Sequence, residues 1–217
     1  MKLLLYILLI GSSLMSIFAE NNIQIQYATP PGKTPWEMDK AHSNFEFSVQ
    51  HMMISKVKGR FKDFTINMLS PINDSEENFL NSKVNIEFVV NSITTDNTDR
   101  DEHLKSKDFL NGDAYPRIVY NGEFIKQLNK TTYIMRGDMY IHGITKTLQF
   151  KVKYNGMGEN MYGKKIAGFT IKGTVNKKDF GIVWNRFLDS GGLLIGENIE
   201  FKSDVEMICT TCFSSTH

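Results

Sequence analysis

Cysteine is scarce: Cys209 and Cys212 are the two in 217 residues, which excludes a small domain built on a disulfide framework. Gly and Pro are few, 16 and 5, and follow no period, so a collagen-like chain is excluded as well. Neither sign of charge is in excess. With 25 Lys and Arg against 24 Asp and Glu, bulk electrostatics give no reason to expect nucleic acid as a partner. After the first twenty residues no apolar run is long enough to cross a membrane as a helix. The common catalytic signatures are missing too: there is no G-x-G-x-x-G, no Walker-type glycine loop, no G-x-S-x-G and no H-E-x-x-H. No nucleophile–base arrangement is visible, so the chain is not expected to be an enzyme.

What is present starts with a leader. Lys2 precedes a nearly unbroken apolar run from Leu3 to Phe18, and Ala19 stands just before the polar Glu20-Asn21-Asn22. A basic start, an apolar stretch and a small residue at the boundary read as a secretory signal peptide over residues 1–19. The competing reading is an uncleaved anchor, because the run comes close to spanning a thin bilayer. No Cys follows the run, so a lipid-anchored form has no attachment residue. The mature chain is expected in the periplasm or outside the cell.

Beyond residue 40, alternation with a period of two dominates. Phe45, Phe47, Val49 and His51 share one parity, as do Val84, Ile86, Phe88 and Val90. Tyr133, Met135, Met139 and Ile141 repeat it, then Leu148, Phe150, Val152 and Tyr154, then Phe169, Ile171, Gly173 and Val175. Phe201, Ser203, Val205, Met207 and Cys209 close the series. Such runs are strands with one apolar and one wet face. Turn chemistry is expected at Asn111-Gly112-Asp113, Asn121-Gly122, Asn155-Gly156 and Ser190-Gly191-Gly192. Only Thr98–Leu110 looks helical. Residues 20–35 read as a polar lead-in or edge segment, since Pro30, Pro31 and Pro35 bar a regular inner strand. Residues 70–82 read as a long exposed loop. The chain is therefore all-β and antiparallel, one domain, and either two packed sheets or one closed barrel; periodicity does not choose.

Histidines fall at His42, His51, His103, His142 and His217 without metal-ligand spacing, so neither a metal nor another cofactor is expected. Cys209-Thr210-Thr211-Cys212 lacks the following His of a haem site; in an exported chain the pair could form a local disulfide or remain one buried and one exposed thiol. Lys146, Lys151, Lys153, Lys164, Lys165, Lys172, Lys177 and Lys178 face one acid, Glu159, between Thr145 and Lys178. Solvated strand faces explain this, and a basic surface meeting phosphate or an anionic membrane is the sharper reading.

Five separated blocks, in order, resemble the YceI-like family. The first is Trp36-x-x-Asp39-x-x-His42-Ser43-x-Phe45-x-Phe47-x-Val49-x-His51, followed by Val57-x-Gly59-x-Phe61-x-x-Phe64. The others are Asn91-Ser92-Ile93-Thr94-Thr95 with Arg100-Asp101-x-His103-Leu104-Lys105-Ser106-x-x-Phe109-Leu110, then Tyr115-Pro116, Ile141-His142-Gly143-Ile144-Thr145-Lys146 and Asp179-Phe180-Gly181. The resemblance implies one lipocalin-like, up-and-down antiparallel β-barrel of about eight strands over residues 36–212, with a short helix near residues 98–110. It also implies non-catalytic binding of a long-chain isoprenoid lipid, a polyprenyl quinone or polyprenyl phosphate, in an apolar lumen. A self-filled barrel serving as a structural or stress protein of the envelope is the alternative. A homodimer and a peripheral membrane contact are further expectations. Inward parity nominates Phe45, Phe47, Val49, Phe88, Met135, Met139, Phe150 and Phe169 for the lumen. Arg100, Lys105, Lys177 and Lys178 are candidates for a head group at the mouth; Trp36, Asp39, His42 and Ser43 would lead into the first strand.

The leader yields the first prediction. Intact mass of the protein recovered from its host should fall short of the full chain by about nineteen residues; a full-length chain in the membrane fraction would establish the anchor instead.

Overall fold

The computed structural model describes residues 29–71, 78–186 and 194–213. The leader and the Ser190-Gly191-Gly192 turn lie outside these residues. The alternating segments form β1 (Lys33–Met38), β2 (Asn44–His51), β3 (Ser55–Phe61), β4 (Phe64–Pro71), β5 (Lys83–Val89), β6 (Ile93–Thr94), β7 (Arg117–Asn129), β8 (Thr132–Ile141), β9 (Ile144–Glu159), β10 (Lys164–Asn176) and β11 (Ile195–Phe213). All pairings are antiparallel, and β1 meets β11 to close the ring. Breaks divide three of the staves. The pairs β1/β2 and β3/β4 lie side by side, β2 against β3 and β1 against β4, while β6 continues β5 after a single 3₁₀ turn at Val90–Ser92. Counted as staves, the result is an eight-stranded up-and-down barrel with one short helix, α1 (Thr98–Lys105). Closure removes every long exposed edge, which a lone antiparallel sheet would have to protect.

Strand β11 holds the seam. It pairs with β10 over most of its length and, on its other side, with β2 and then β1. The edge reading of residues 20–35 holds on one side of Lys33–Pro35, which pair with β4 alone, and β1 becomes an inner stave only at Trp36. Its ladder with β4 begins at Lys33, whereas its ladder with β11 begins only at Trp36. On the β11 side the Thr210 hydroxyl donates to the Pro35 carbonyl at 3.4 Å, at the position where proline offers no N–H.

Two expected turns are strand interior. Asn121-Gly122 pairs with Asp138 and Gly137 in the β7–β8 ladder. A Cβ on Gly137 would stand 2.1 Å from the Asn121 carbonyl oxygen, so glycine there serves close backbone approach rather than reversal. Asn155-Gly156 lies in β9 beside a register shift opposite Gly168 and Phe169, a bulge that curves the stave. Reversal does occur at His142-Gly143, whose φ values of 51° and 80° suit a two-residue hairpin.

The core is graded along the barrel axis. At one end, where β4 finishes and β5 begins, Trp36, Phe79, Phe124, Tyr133, Met135, Val152, Tyr154, Ala167, Phe169, Met207 and Cys209 are buried together. Phe79 corrects the reading of 70–82 as an exposed loop. It packs at 5.8 Å from the Trp36 ring, 5.3 Å from Tyr154 and 4.9 Å from Phe169, and its backbone N–H donates to the Tyr133 hydroxyl at 3.4 Å. Trp36 in turn donates from Nε1 to Ser70 Oγ at 2.9 Å. Cys209, fully buried, is joined to Cys212 in a disulfide.

Phe79→Ala should cost about 3–5 kcal/mol of unfolding free energy, the range for emptying a buried aromatic site, as read by urea denaturation. A loss below about 1 kcal/mol would mean that Phe79 does not cap the core.

Candidate functional site

The other end of the barrel, where β2, β8 and β10 finish and β3, β9 and β11 begin, holds a cavity of about 480 Å³. Parity explains its wall. Of the residues nominated from sequence, Phe45, Phe47, Val49, Phe88, Met139 and Phe150 line it. Met135 and Phe169 do not; both belong to the filled half, Met135 fully buried and Phe169 packed against Phe79 and Tyr154. Alternation fixes which face a side chain takes but says nothing of depth. Met135 stands one ladder period deeper than Gly137 and two deeper than Met139, and that distance separates wall from packed core.

The floor is aromatic. Tyr120 lies 5.0 Å from Phe150, which lies 4.9 Å from Phe201. Inward Gly173 leaves room for the last two rings, since a Cβ there would meet Phe150 at 2.4 Å and Phe201 at 2.7 Å. Burial pushes the Tyr120 phenol well above its ordinary range, so it stays protonated, and it donates to the Leu148 carbonyl at 3.4 Å. Ser203, also on the wall, donates to the Asn44 carbonyl at 2.6 Å.

A cover crosses the mouth, and periodicity gave little sign of it because it is not strand. From one side come α1 and the loop to Leu110; from the other comes the 3₁₀ turn Lys177–Phe180 with the following strap to Trp184. His103, Phe109 and Trp184 meet over the opening as three rings, with centroids 4.8–5.0 Å apart. His103, Phe109, Phe180 and Ile182 are wall residues that inward parity missed. His103 and Phe109 belong to the Arg100–Leu110 block and Phe180 to the Asp-Phe-Gly block, which mark their positions but not their role.

Buried Asp101 fixes α1 to β6. Its carboxylate accepts from Thr94 Oγ1 at 2.8 Å, Thr95 Oγ1 at 2.6 Å and Thr95 N at 2.7 Å. Burial raises the carboxyl, but the Thr95 and Thr94 hydrogen bonds outweigh it and hold the group below the ordinary carboxylate range. The Thr-Thr and Arg-Asp blocks are thus one structural unit, and Arg100 belongs to it. The Arg100 guanidinium donates from Nε to Thr95 Oγ1 at 2.7 Å and from Nη2 to the Thr95 carbonyl at 2.9 Å.

The four nominated cations do not form one group. Arg100 and Lys177 line the cavity; Lys105 and Lys178 do not. Lys105 pairs with Glu102 at 2.9 Å and Lys178 with Glu197 at 2.5 Å. Lys177 is only 5% exposed, contrary to the expectation of a solvated mouth residue. Its ammonium donates to the Ile182 carbonyl at 3.0 Å and the Trp184 carbonyl at 2.8 Å, and burial pulls its pKa down. Lysine at this place ties the strap to the barrel.

Among the described residues, His51, His103 and His142 belong to no cluster of three ligand-type side chains. His42 Nδ1 lies 3.0 Å from Asp39 Oδ2 and 3.9 Å from Glu206 Oε1, and the three residues have ligand-type atoms within 4.8 Å of one another. Spacing along the chain could not show this, because Glu206 arrives from β11. The hydrogen bond between the two side chains raises the His42 pKa and lowers that of Asp39. Asp39 Oδ1 also accepts from Ala41 N at 2.8 Å, which shapes the bend between β1 and β2.

The family profile of the YceI-like domain matches residues 36–207. A UPF0312 protein of Staphylococcus aureus strain N315 is 36% identical over 174 residues, 80% of this chain and 96% of its own length. Among solved structures, the Campylobacter jejuni YCEI protein is 25% identical with a TM-score of 0.60, over 73% of this chain and 88% of its own. A polyisoprenoid-binding domain from Saccharophagus degradans shares the fold at 10% identity, TM-score 0.54, over 80% of this chain and 98% of its own.

Two neighbouring lysines with different surroundings provide a test. Lys177→Met should cost about 1–3 kcal/mol by leaving strap carbonyls without their charged donor, whereas Lys178→Met should stay within about 0.5 kcal/mol, as an exposed ion pair does. Equal thermal shifts for the two would remove the strap tie.

Proposed function

The chain belongs to the YceI-like family, and from that membership and its cavity we propose that it binds a long-chain isoprenoid lipid and carries it without chemical change. One observation carries the reading: half of the barrel is packed solid, while the other half encloses a continuous, almost wholly apolar space of about 480 Å³ under an aromatic cover. An unfilled cavity lined by Phe, Ile, Val and Met forfeits dispersion contacts along its wall, and a hydrocarbon guest restores them while leaving water at roughly 0.8 kcal/mol per CH₂. The name of the Saccharophagus degradans neighbour supports the same class of guest. With a leader of the kind read at residues 1–19, the carrier would act in the envelope or outside the cell.

The polar end of the cavity favours a neutral head over a phosphate. Arg100 and Lys177 already donate to Thr95 and to the strap carbonyls, and the carboxylate of Asp99 shares the lining. A phosphate would need unengaged cations or a bidentate fork, whereas a quinone needs only a donor or two beside aromatic faces. The self-filled barrel describes the packed half of this lumen but leaves the other half unexplained.

Native mass spectrometry with lipid extraction tests the carrier reading directly. The purified protein should hold one prenyl lipid and exchange it for added polyprenyl quinone at least about tenfold more tightly than for the polyprenyl phosphate of equal length, a difference of about 1.4 kcal/mol. Tighter binding of the phosphate would reverse the head-group assignment. Protein that neither retains nor takes up any prenyl lipid would leave the self-filled barrel.

A further inference from the structure

We propose that the β2–β3 hairpin tip, Met52-Met53-Ile54, together with Val183, is a membrane-docking face through which the cavity exchanges its guest with a lipid bilayer; this rests on the carrier reading above. The three residues are a turn between two regular strands, where small polar residues are usual. Instead they are large and apolar, exposed at 40%, 69% and 83%. Met52 and Met53 also hold φ values of 50° and 63°, the left-handed region that unbranched but bulky residues enter at a cost. Neither packing nor turn geometry accounts for these side chains.

Their position ties them to the mouth. Met52 N donates to the Leu194 carbonyl at 2.8 Å, and Leu194 N donates to the Arg186 carbonyl at 2.8 Å. This backbone chain joins the hairpin tip to the strap that carries Trp184 of the cover. Val183, next to Trp184, is itself 69% exposed. Val49 and Val57, on the two arms of the hairpin, already line the cavity, so the tip stands one cross-strand pair, His51 with Ser55, beyond the lumen wall.

The charges behind the tip suit a bilayer with anionic lipid. Lys58 and Arg186 are exposed and no acid lies between Met52 and Lys58 in the chain, while Lys56 is paired with Glu200 at 2.5 Å. An apolar tip backed by cations is the arrangement by which a small surface element enters the acyl boundary while its charges stay at head-group level. The guest resides in such a boundary, and a tip seated beside the mouth shortens the passage of its tail through water.

The opposite end supplies an internal control. Met161 and Tyr162, in the β9–β10 hairpin, are also exposed, at 87% and 78%, but they border the filled half of the barrel. Vesicle co-sedimentation should therefore compare the protein as recovered from its host with M53D/I54D and M161D/Y162D, all with the same N-terminus, on phosphatidylcholine vesicles containing about 30% phosphatidylglycerol. The expected result is at least a tenfold loss of vesicle partitioning for M53D/I54D alone, with unchanged melting temperature. Its uptake of polyprenyl quinone from vesicles should slow in parallel, while uptake from detergent micelles is unaltered. Equal partitioning of M53D/I54D and the unsubstituted protein, or loss only in M161D/Y162D, would overturn the assignment. Failure of every form to take up quinone from micelles would overturn the carrier reading instead, and the vesicle comparison decides the docking face without it.

Discussion

Everything in this barrel depends on β11 having two neighbours on one side. A closed ring of eight staves needs each strand to find partners along both edges, and β1 and β2 are separated by a bend at Asp39–Ser43. The nineteen-residue β11 spans both pieces. Local contacts stitch the bend to the seam: Ser43 Oγ accepts from Glu206 N at 3.1 Å, and Asp39 N donates to the Glu206 carbonyl at 2.8 Å. Bringing residues 33–51 to residues 195–213 closes nearly the whole chain, an entropic cost that only a long continuous ladder offsets. Without that seam the inward parity of every other strand would face water.

Once the ring is closed, its interior must be filled or left open, and this chain does both. The filled half uses large rings in mixed edge and tilted contacts, with the Trp36 indole satisfied by Ser70 and the buried Ser82 Oγ left without a protein partner. The open half uses similar side chains, spaced by glycines and roofed by a cover that makes no part of the sheet. That cover is held by directional bonds as well as by the burial of Phe109, Phe180 and Ile182: Asp101 fixes the helix, Lys177 fixes the strap, and the His103–Phe109–Trp184 contact joins them. Fixing a roof through a few named bonds leaves the space beneath it apolar.

Much of this was legible in sequence because parity is local. Phe45, Phe47, Val49, Phe88, Met139 and Phe150 face the cavity as alternation placed them. Depth was not legible, because it depends on which rings arrive from other staves; Phe169 shares the parity but meets Phe79, Phe124 and Tyr154, and Met135 shares it but is fully buried. Asn121-Gly122 and Asn155-Gly156 carried a turn signature, yet their glycines answer to cross-strand crowding and to a bulge. Lys177 looked like a surface cation beside Lys178, since nothing along the chain reveals that the strap folds back to present two carbonyls to it. The family resemblance chose the barrel over the sandwich, a choice that periodicity could not make.

The packed floor imposes a rule on traffic. With Tyr120, Phe150 and Phe201 below the space and Trp36, Phe79, Tyr133 and Phe169 beneath them, the lumen is a cup rather than a tube. Whatever is lodged in it leaves by the way it came, tail last to depart if tail first to enter. Such a vessel cannot thread cargo between two surfaces while touching both. On the carrier proposal it would have to detach from the donor and turn before it met the acceptor, making transfer a shuttle whose rate is bounded by two separate landings.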